Sequence, residues 1–391
     1  MQIVQVSKDG TEGRVLAELR IAIPNRLVLS ESLSICLERQ RILLERAQRR
    51  MNETESLDAL PLVKMPGKAE SVSMTNVACF LGRNVMEKAL NLLKRWLLRR
   101  DHWAIALNNE GLSGNTALYR DTTAIEDAKW SLKIPGAKDR FYADPFLWKG
   151  KDGRCHLFFE DLPYSTNKGV ISYVALNPVS KTWCGTPQVV LERNYHLSYP
   201  FLFEHEGDIF TIPETSANKT IEVYRATSFP LKWTPHAVLM ENIVAADATL
   251  HREGDTWWLF ASVKEDSGLN WDELSLFHSD NPFGPWTAHA ANPVISDCRH
   301  ARMAGNVFRD AQGRLIRPAQ NCEESYGAAL TFSEITELSK TSYTERALFD
   351  KKPPARWSGL HTWNSNGEFT VVNIKMDLNR WARDQMIGTR L

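Results

Sequence analysis

The chain lacks a charge surplus: 47 basic residues stand against 47 acidic ones. A nucleic-acid binder draws most of its affinity from neutralised phosphates, so this balance excludes a general nucleic-acid partner. Paired cysteines are also missing. Cys36, Cys79, Cys155, Cys184, Cys298 and Cys322 are scattered with no CxxC pair and no clustered histidines, which leaves no metal-ligand spacing and no expected metal or cofactor. No apolar run reaches the length of a membrane span. The first residues, MQIVQVSKDGTEGR, hold no apolar signal core. The expectation is a cytoplasmic protein with reduced thiols. What the chain does have is aromatic mass, 13 tryptophans and 16 phenylalanines, which suits pleated surfaces.

Two textures divide the chain near residue 100. Residues 1–100 read as a helical or irregular extension: Ser30 to Arg50 alternates apolar and charged residues at helical spacing, and residues 51–75 read as a polar linker. Residues 76–103 set Phe80, Leu81, Val85, Leu92, Leu93, Trp96 and Leu97 among Arg83, Lys88, Lys94, Arg95, Arg99 and Arg100, the pattern of a basic amphipathic helix. Such a helix either packs its apolar stripe on protein or lies in an anionic membrane interface. The second use implies peripheral contact at the inner face of a membrane.

From residue 101 to 391 the sequence reads as an all-β five-bladed β-propeller. Similar openings recur as ADPFLW (143–148), SYPFLF (198–203), ADATLH (246–251), AGNVFR (304–309) and GLHTWN (359–364), at a period of roughly fifty to fifty-five residues. Gly153, Gly207, Gly254, Gly313 and Gly367 each separate two apolar runs, as tight hairpins require. Third strands follow at 170–176, 221–227 and 273–279. The last unit is short, so a strand near Trp103–Leu107 or Trp130–Ile134 is expected to complete it.

In a propeller the first strand of each blade lines the axis, where polar residues converge without sequence adjacency. Asp144, Tyr199, Asp247, Arg302 and His361 occupy such positions, and Glu160, Glu214 and Gln320 end second strands. Asp144, Glu214 and Asp247 are the candidates for acid–base work on a glycosidic bond. Glu160, Tyr199, Arg302, Gln320, Tyr326 and His361 are the candidates for sugar contacts. Each has an ordinary alternative: a strand-entry cap for Asp144, hairpin-edge solvation for Glu160 and Glu214, charge neutralisation for Arg302, wall packing for Tyr199 and Tyr326, and a satisfied buried ring for His361. Cys322 has no activating partner in sequence and reads as inert.

The segments FYADPFLW, HLSYPFLF, IPETS, VYRATSFPLKW, WWLFAS, NPFGPW and the run from Ala301 to Gly327 resemble the N-terminal propeller of plant glucosamine inositolphosphorylceramide transferases. Bacterial chains carry a similar module, often behind a formyltransferase-like domain, and residues 1–100 resemble at most the tail of one. More distantly, the segments resemble the five-bladed glycoside hydrolases that include arabinanases and β-xylosidases, with Asp144 matching the aspartate that serves there as base. That resemblance places an acid glutamate where this chain has Asp247, and SYPFLF offers no carboxylate, so the hydrolytic triad does not carry over. The resemblance implies a module that binds a sugar or glycoconjugate in bacterial surface-glycan assembly, with a glycosyltransferase as possible partner. An active glycosidase or glycosyltransferase, and a protein-interaction scaffold, are the alternatives.

Overall fold

The computed structural model describes residues 1–7, 12–21, 29–53, 58, 60–64, 73–108, 130–131, 139–177, 179–180, 182–264, 268–355 and 357–379. The N-terminal region is not only helical. Strands β1 (Gln2–Val6), β2 (Glu12–Glu18) and β3 (Leu62–Lys64) form a small antiparallel sheet, with β3 inside the expected linker. Helix α1 (Leu29–Glu53) buries Arg39, Ile42, Leu43 and Ala47, one face at helical spacing.

Helix α2 (Met74–Leu97) ends six residues before the expected boundary, and β4 (Leu98–Asn108) follows directly. Helical periodicity is outweighed there by pairing: β4 is matched residue by residue to the C-terminal strand of the chain, and Trp103–Leu107 are buried. The short β5 (Trp130–Ser131) then pairs with β4. Of the two alternatives for the completing strand, Trp103–Leu107 lies in β4 against β23, and Trp130–Ser131 adds the strand beyond it; residues 132–134 lie outside the described residues.

Four further sheets are consecutive meanders. They comprise β6 (Arg140–Lys149) to β9 (Thr182–Leu191) through β7 (Cys155–Pro163) and β8 (Val170–Asn177), and β10 (Ser198–His205) to β13 (Lys232–Glu241) through β11 (Asp208–Glu214) and β12 (Thr220–Ser228). The next runs through β14 (Ala245–Glu253), β15 (Thr256–Val263), β16 (Ser275–Ser279) and β17 (Thr287–Ala288). It is followed by β18 (Phe308–Arg309), β19 (Leu315–Asn321), β20 (Ala329–Leu338) and β21 (Tyr343–Lys351). In the remaining sheet β22 (Gly359–Ser365) and β23 (Thr370–Asn379) join β4 and β5.

In the first three of these meanders burial falls from the opening strand to the fourth. Strands β10 and β22 are almost wholly buried, whereas β13 alternates with solvent. Successive sheets touch, and β6 packs against β4, β22 and β23, so the last sheet returns to the first. This is propeller architecture: each sheet is apolar on both faces and covers its neighbour. The five hairpin glycines all have positive φ with open space around a notional Cβ, so they are needed for backbone conformation and not for close packing. The opening at 304–309 departs from its counterparts, being strand only at Phe308–Arg309.

Candidate functional site

The opening strands share a device that turns one polar residue out of the strand register. The pairing of β6 with β7 slips between Ala143 and Phe146, that of β10 with β11 between Ser198 and Phe201, and that of β14 with β15 between Ala246 and Thr249. Within these bulges Asp144, Tyr199 and Asp247 take φ of 49°, 44° and 54°. Non-glycine residues adopt this left-handed region only where the surroundings enforce it, and such positions cluster at functional sites. In the last sheet the register slips between Leu360 and Thr362, around His361. In the fourth sheet the corresponding position is Gly305 (φ 140°), where a Cβ would strike the Trp363 carbonyl. Arg302 therefore reaches the site from the segment before that strand and not from the repeat position expected of it.

Arg302 is buried and forks onto two acids. Its Nε donates to Asp247 Oδ2 at 2.5 Å, and one Nη2 donates to Asp247 Oδ1 at 3.1 Å and to Glu214 Oε2 at 3.2 Å. The guanidinium also lies 5.1 Å from the centre of the Tyr326 ring, a cation–π distance. Gln320 donates to Asp247 Oδ2 at 3.0 Å and to the Met303 carbonyl at 3.1 Å. Asp247 is 1% exposed and Gln320 0%. Both Asp247 oxygens thus accept hydrogen bonds, and the carboxyl pairs with Arg302, although burial, with Glu214 and Asp144 adding, pushes it well above the usual carboxylate range against the pull of Arg302. Gln320, fully used by Asp247 and Met303, turns no donor to a ligand. Tyr199 is a core residue: its hydroxyl bonds Thr249 at 3.0 Å and its ring packs on Phe146, so it supports the wall without reaching a ligand.

Asp144 and Glu160 lie in contrasting settings. Asp144 Oδ1 accepts from His361 Nε2 at 2.7 Å and from the Thr362 hydroxyl at 2.8 Å. Burial alone would push this carboxyl up, but the His361 ring and the Thr362 hydroxyl hold it below the usual carboxylate range. Glu160 instead meets His196, with Nε2 to Oε1 at 3.1 Å. The Gly169 amide donates to His196 Nδ1 at 3.0 Å, so the His196 proton sits on Nε2 and faces Glu160. Burial pushes Glu160 up to about 7; Asp144 and Glu214 add to the effect and His196 opposes it. Glu214 also takes the Ser216 hydroxyl at 2.6 Å.

Asp144, Glu160, Glu214 and Arg302 therefore form one cluster drawn from several sheets. Sequence reasoning named Tyr326 and His361 but missed the other aromatic and histidine members of the cluster. His196, Trp103 and Trp271 stand outside the repeat positions; Trp103 meets His361 edge-on at 4.2 Å, and Trp271 lies 5.3 Å from Tyr326. His196 alone had a signal, two residues before the SYPFLF opening. Among the described residues no group of three or more metal-type side chains could hold an ion.

Residues 129–388 match the family model described as glucosamine inositolphosphorylceramide transferase 1, N-terminal. The chain is 37% identical over 232 residues to glucosamine inositolphosphorylceramide transferase 1 of Oryza sativa subsp. japonica, covering 59% of this chain and 30% of that protein. It is 32% identical over 261 residues to the protein of the same name in Arabidopsis thaliana, covering 66% and 33%. The chain thus spans about a third of the length of the curated relatives it matches. Among solved structures it is similar to Bacteroides ovatus Xyloglucan PUL GH43B (TM-score 0.44, 13% identity, 61% of this chain and 51% of that one). It is also similar to Zg3597, a family 117 glycoside hydrolase of Zobellia galactanivorans (TM-score 0.44, 12% identity, 64% and 88%).

Proposed function

The chain belongs to the glucosamine inositolphosphorylceramide transferase 1 N-terminal family, and on that premise we propose that it is a five-bladed propeller module that binds the sugar portion of a glycolipid or other glycoconjugate in the service of glycosyl transfer. The relatives' name supplies the substrate class, and assembly of bacterial surface glycans is one setting that fits it. The observation that carries this reading is the convergence of Asp144 from a bulge, Glu160 and Glu214 from strand ends and Arg302 from the segment ahead of β18 into one cluster. Convergent polar groups beside aromatic rings, here Tyr326 next to Arg302 and Trp103 next to His361, are what a sugar, with hydroxyls on its rim and C–H faces, requires. A glycosyltransferase partner is a corollary of the same reading.

One observation favours active chemistry. Asp144 is held ionised while Glu160 stays partly protonated near neutrality, and two carboxyls pushed apart in this way are the usual base and acid of glycoside cleavage. On this second reading Asp144 keeps the role expected of it and Glu160 serves as the acid.

A glycan and nucleotide-sugar binding screen with the wild type and Asp144→Asn tests both. Binding by the wild type, weakened roughly tenfold in the variant, is expected, a loss of about 1.4 kcal/mol. A wild type that binds no glycan sinks the module reading. Turnover of aryl glycosides by the wild type, abolished in Asp144→Asn, would establish the enzyme reading.

A further inference from the structure

The N-terminal unit is tied to the propeller at the loop that carries Trp271. On α1, Arg39 and Arg46 are seven residues apart and share the buried face with Leu43 and Ala47. Both reach Glu273, which is 2% exposed: Arg46 Nη1 lies 2.6 Å from Oε1, and Arg39 Nη2 lies 3.4 Å from Oε2. Ser296 completes the knot, its hydroxyl donating to Glu273 Oε1 at 3.1 Å and accepting from Arg46 at 3.0 Å. Glu273 stands in the connection between β15 and β16. Two residues earlier Trp271 turns the other way, onto Tyr326 at 5.3 Å, and Tyr326 faces Arg302 and His361.

A second attachment runs along the backbone. The Arg20 amide donates to the Ser296 carbonyl at 2.9 Å, and the Arg20 carbonyl accepts from the Cys298 amide at 3.0 Å. The Cys298 carbonyl in turn accepts from the Cys322 amide at 2.9 Å, at the root of the loop that carries Tyr326. The two rings of the Trp271–Tyr326 contact therefore stand on loops braced by the same N-terminal unit. Trp271 is half-buried, and its Nε1 is enclosed without a hydrogen-bond partner. An indole N–H in that state leaves a donor unspent beside the polar cluster, which costs stability unless something else uses it.

We propose that Trp271 is a ligand-contacting residue of the candidate site and that Glu273, clamped by Arg46 and Arg39, is its positioning residue. The indole supplies one aromatic wall, and the N-terminal unit sets where that wall stands. The ligand part rests on the sugar-binding reading; the positioning part does not.

The experiment separates the two. Acrylamide quenching of tryptophan fluorescence is measured on the full chain, on Arg46→Met, and on Arg46→Lys, each beside its own Trp271→Phe counterpart so that the difference reports Trp271 alone. Arg46→Met removes one charge but leaves Arg39 on Glu273, so the fold is not asked to bury a bare carboxylate. The Trp271 increment is expected to rise about twofold in Arg46→Met and to return toward wild type in Arg46→Lys. An unchanged increment in Arg46→Met, or a rise that persists in the Trp271→Phe background, overturns the positioning claim whether or not any glycan binds. For the ligand claim, Trp271→Phe is expected to weaken at least tenfold the binding of whichever array glycan the wild type retains. Equal retention by Trp271→Phe overturns it.

Discussion

At the scale of single residues, the site's acids were legible because the repeat marks them. Asp144 and Asp247 recur at one position of the opening motif, and Glu160 and Glu214 at one end of the second strand, so their convergence follows from the period. Their roles were not legible, because role depends on which partner takes which oxygen. Asp247 is taken by Arg302 and Gln320 while Glu160 pairs with His196, and neither partnership has a sequence spacing. This difference makes the pH response specific. Glu160 has a folded pKa raised from 4.5 to about 7, so the fold favours its protonated form; the stability it contributes is complete below about pH 4.5 and is lost as pH rises through about 7. Asp144, shifted downward, works in the opposite sense and loses its contribution only on acidification below the ordinary carboxylate range. Glu160→Gln should therefore flatten the decline in melting temperature between pH 4.5 and 7 and raise stability above pH 7, by up to about 3 kcal/mol. A parallel pH profile in the variant would contradict the assignment. Arg302→Met leaves Asp247 buried with only Gln320 for company and should cost about 3–5 kcal/mol in urea denaturation. Adding Asp247→Asn should recover part of that loss, because it removes the stranded charge.

At the scale of elements, the boundary at Leu97 shows where sequence pattern stops being decisive. Basic and apolar residues alternate through Arg100 as they do earlier in α2, yet Leu98 onward is claimed by β23. Local periodicity cannot announce a strand partner some 270 residues away. What remains of the expected amphipathic helix is α2, and its described side chains are all exposed, including Met74, Val85, Met86, Leu90, Leu92 and Leu93. Among the described residues no helix is long and apolar enough to cross a membrane. Its sequence carries Arg83, Lys88, Lys94 and Arg95 against the single acid Glu87. Exposed apolar side chains on a helix of basic sequence are the pattern of helices that dock on anionic bilayers, where each nearby cation contributes about 1 kcal/mol. The chain should co-sediment with phosphatidylserine-containing vesicles at low salt, less with phosphatidylcholine alone, and Leu90→Glu with Leu93→Glu should abolish the difference. Equal recovery of wild type and double variant from the anionic vesicles would leave α2 to a protein partner or a second copy.

At the scale of the whole molecule, the ring was legible from its period and its closure from a shortfall. Five openings with a truncated last unit implied a borrowed strand, and β4 is that strand. The small sheet β1–β3 was not legible, because its strands are short, unrepeated and separated in sequence by α1. Closure by an N-terminal strand means that the ring's stability is concentrated at one seam. β4 pairs with β23 from Leu98 opposite Asn379 to Asn108 opposite Thr370, and it buries Ile105, Ala106 and Leu107 against Val371, Val372 and Ile374. Without it β23 becomes an open, apolar edge, the feature that drives strands of different molecules together. The N-terminal unit ahead of it is different in kind, because its removal exposes Glu273 to water and does not strand that acid in the interior. Two truncations therefore separate the two contributions. A chain beginning at Leu98 should keep a single cooperative urea transition, shifted to lower denaturant by the lost α1 docking. A chain beginning at residue 109 should lose that transition, bind a hydrophobic dye and self-associate. Matching cooperative transitions for both truncations would show that the ring holds without its borrowed strand.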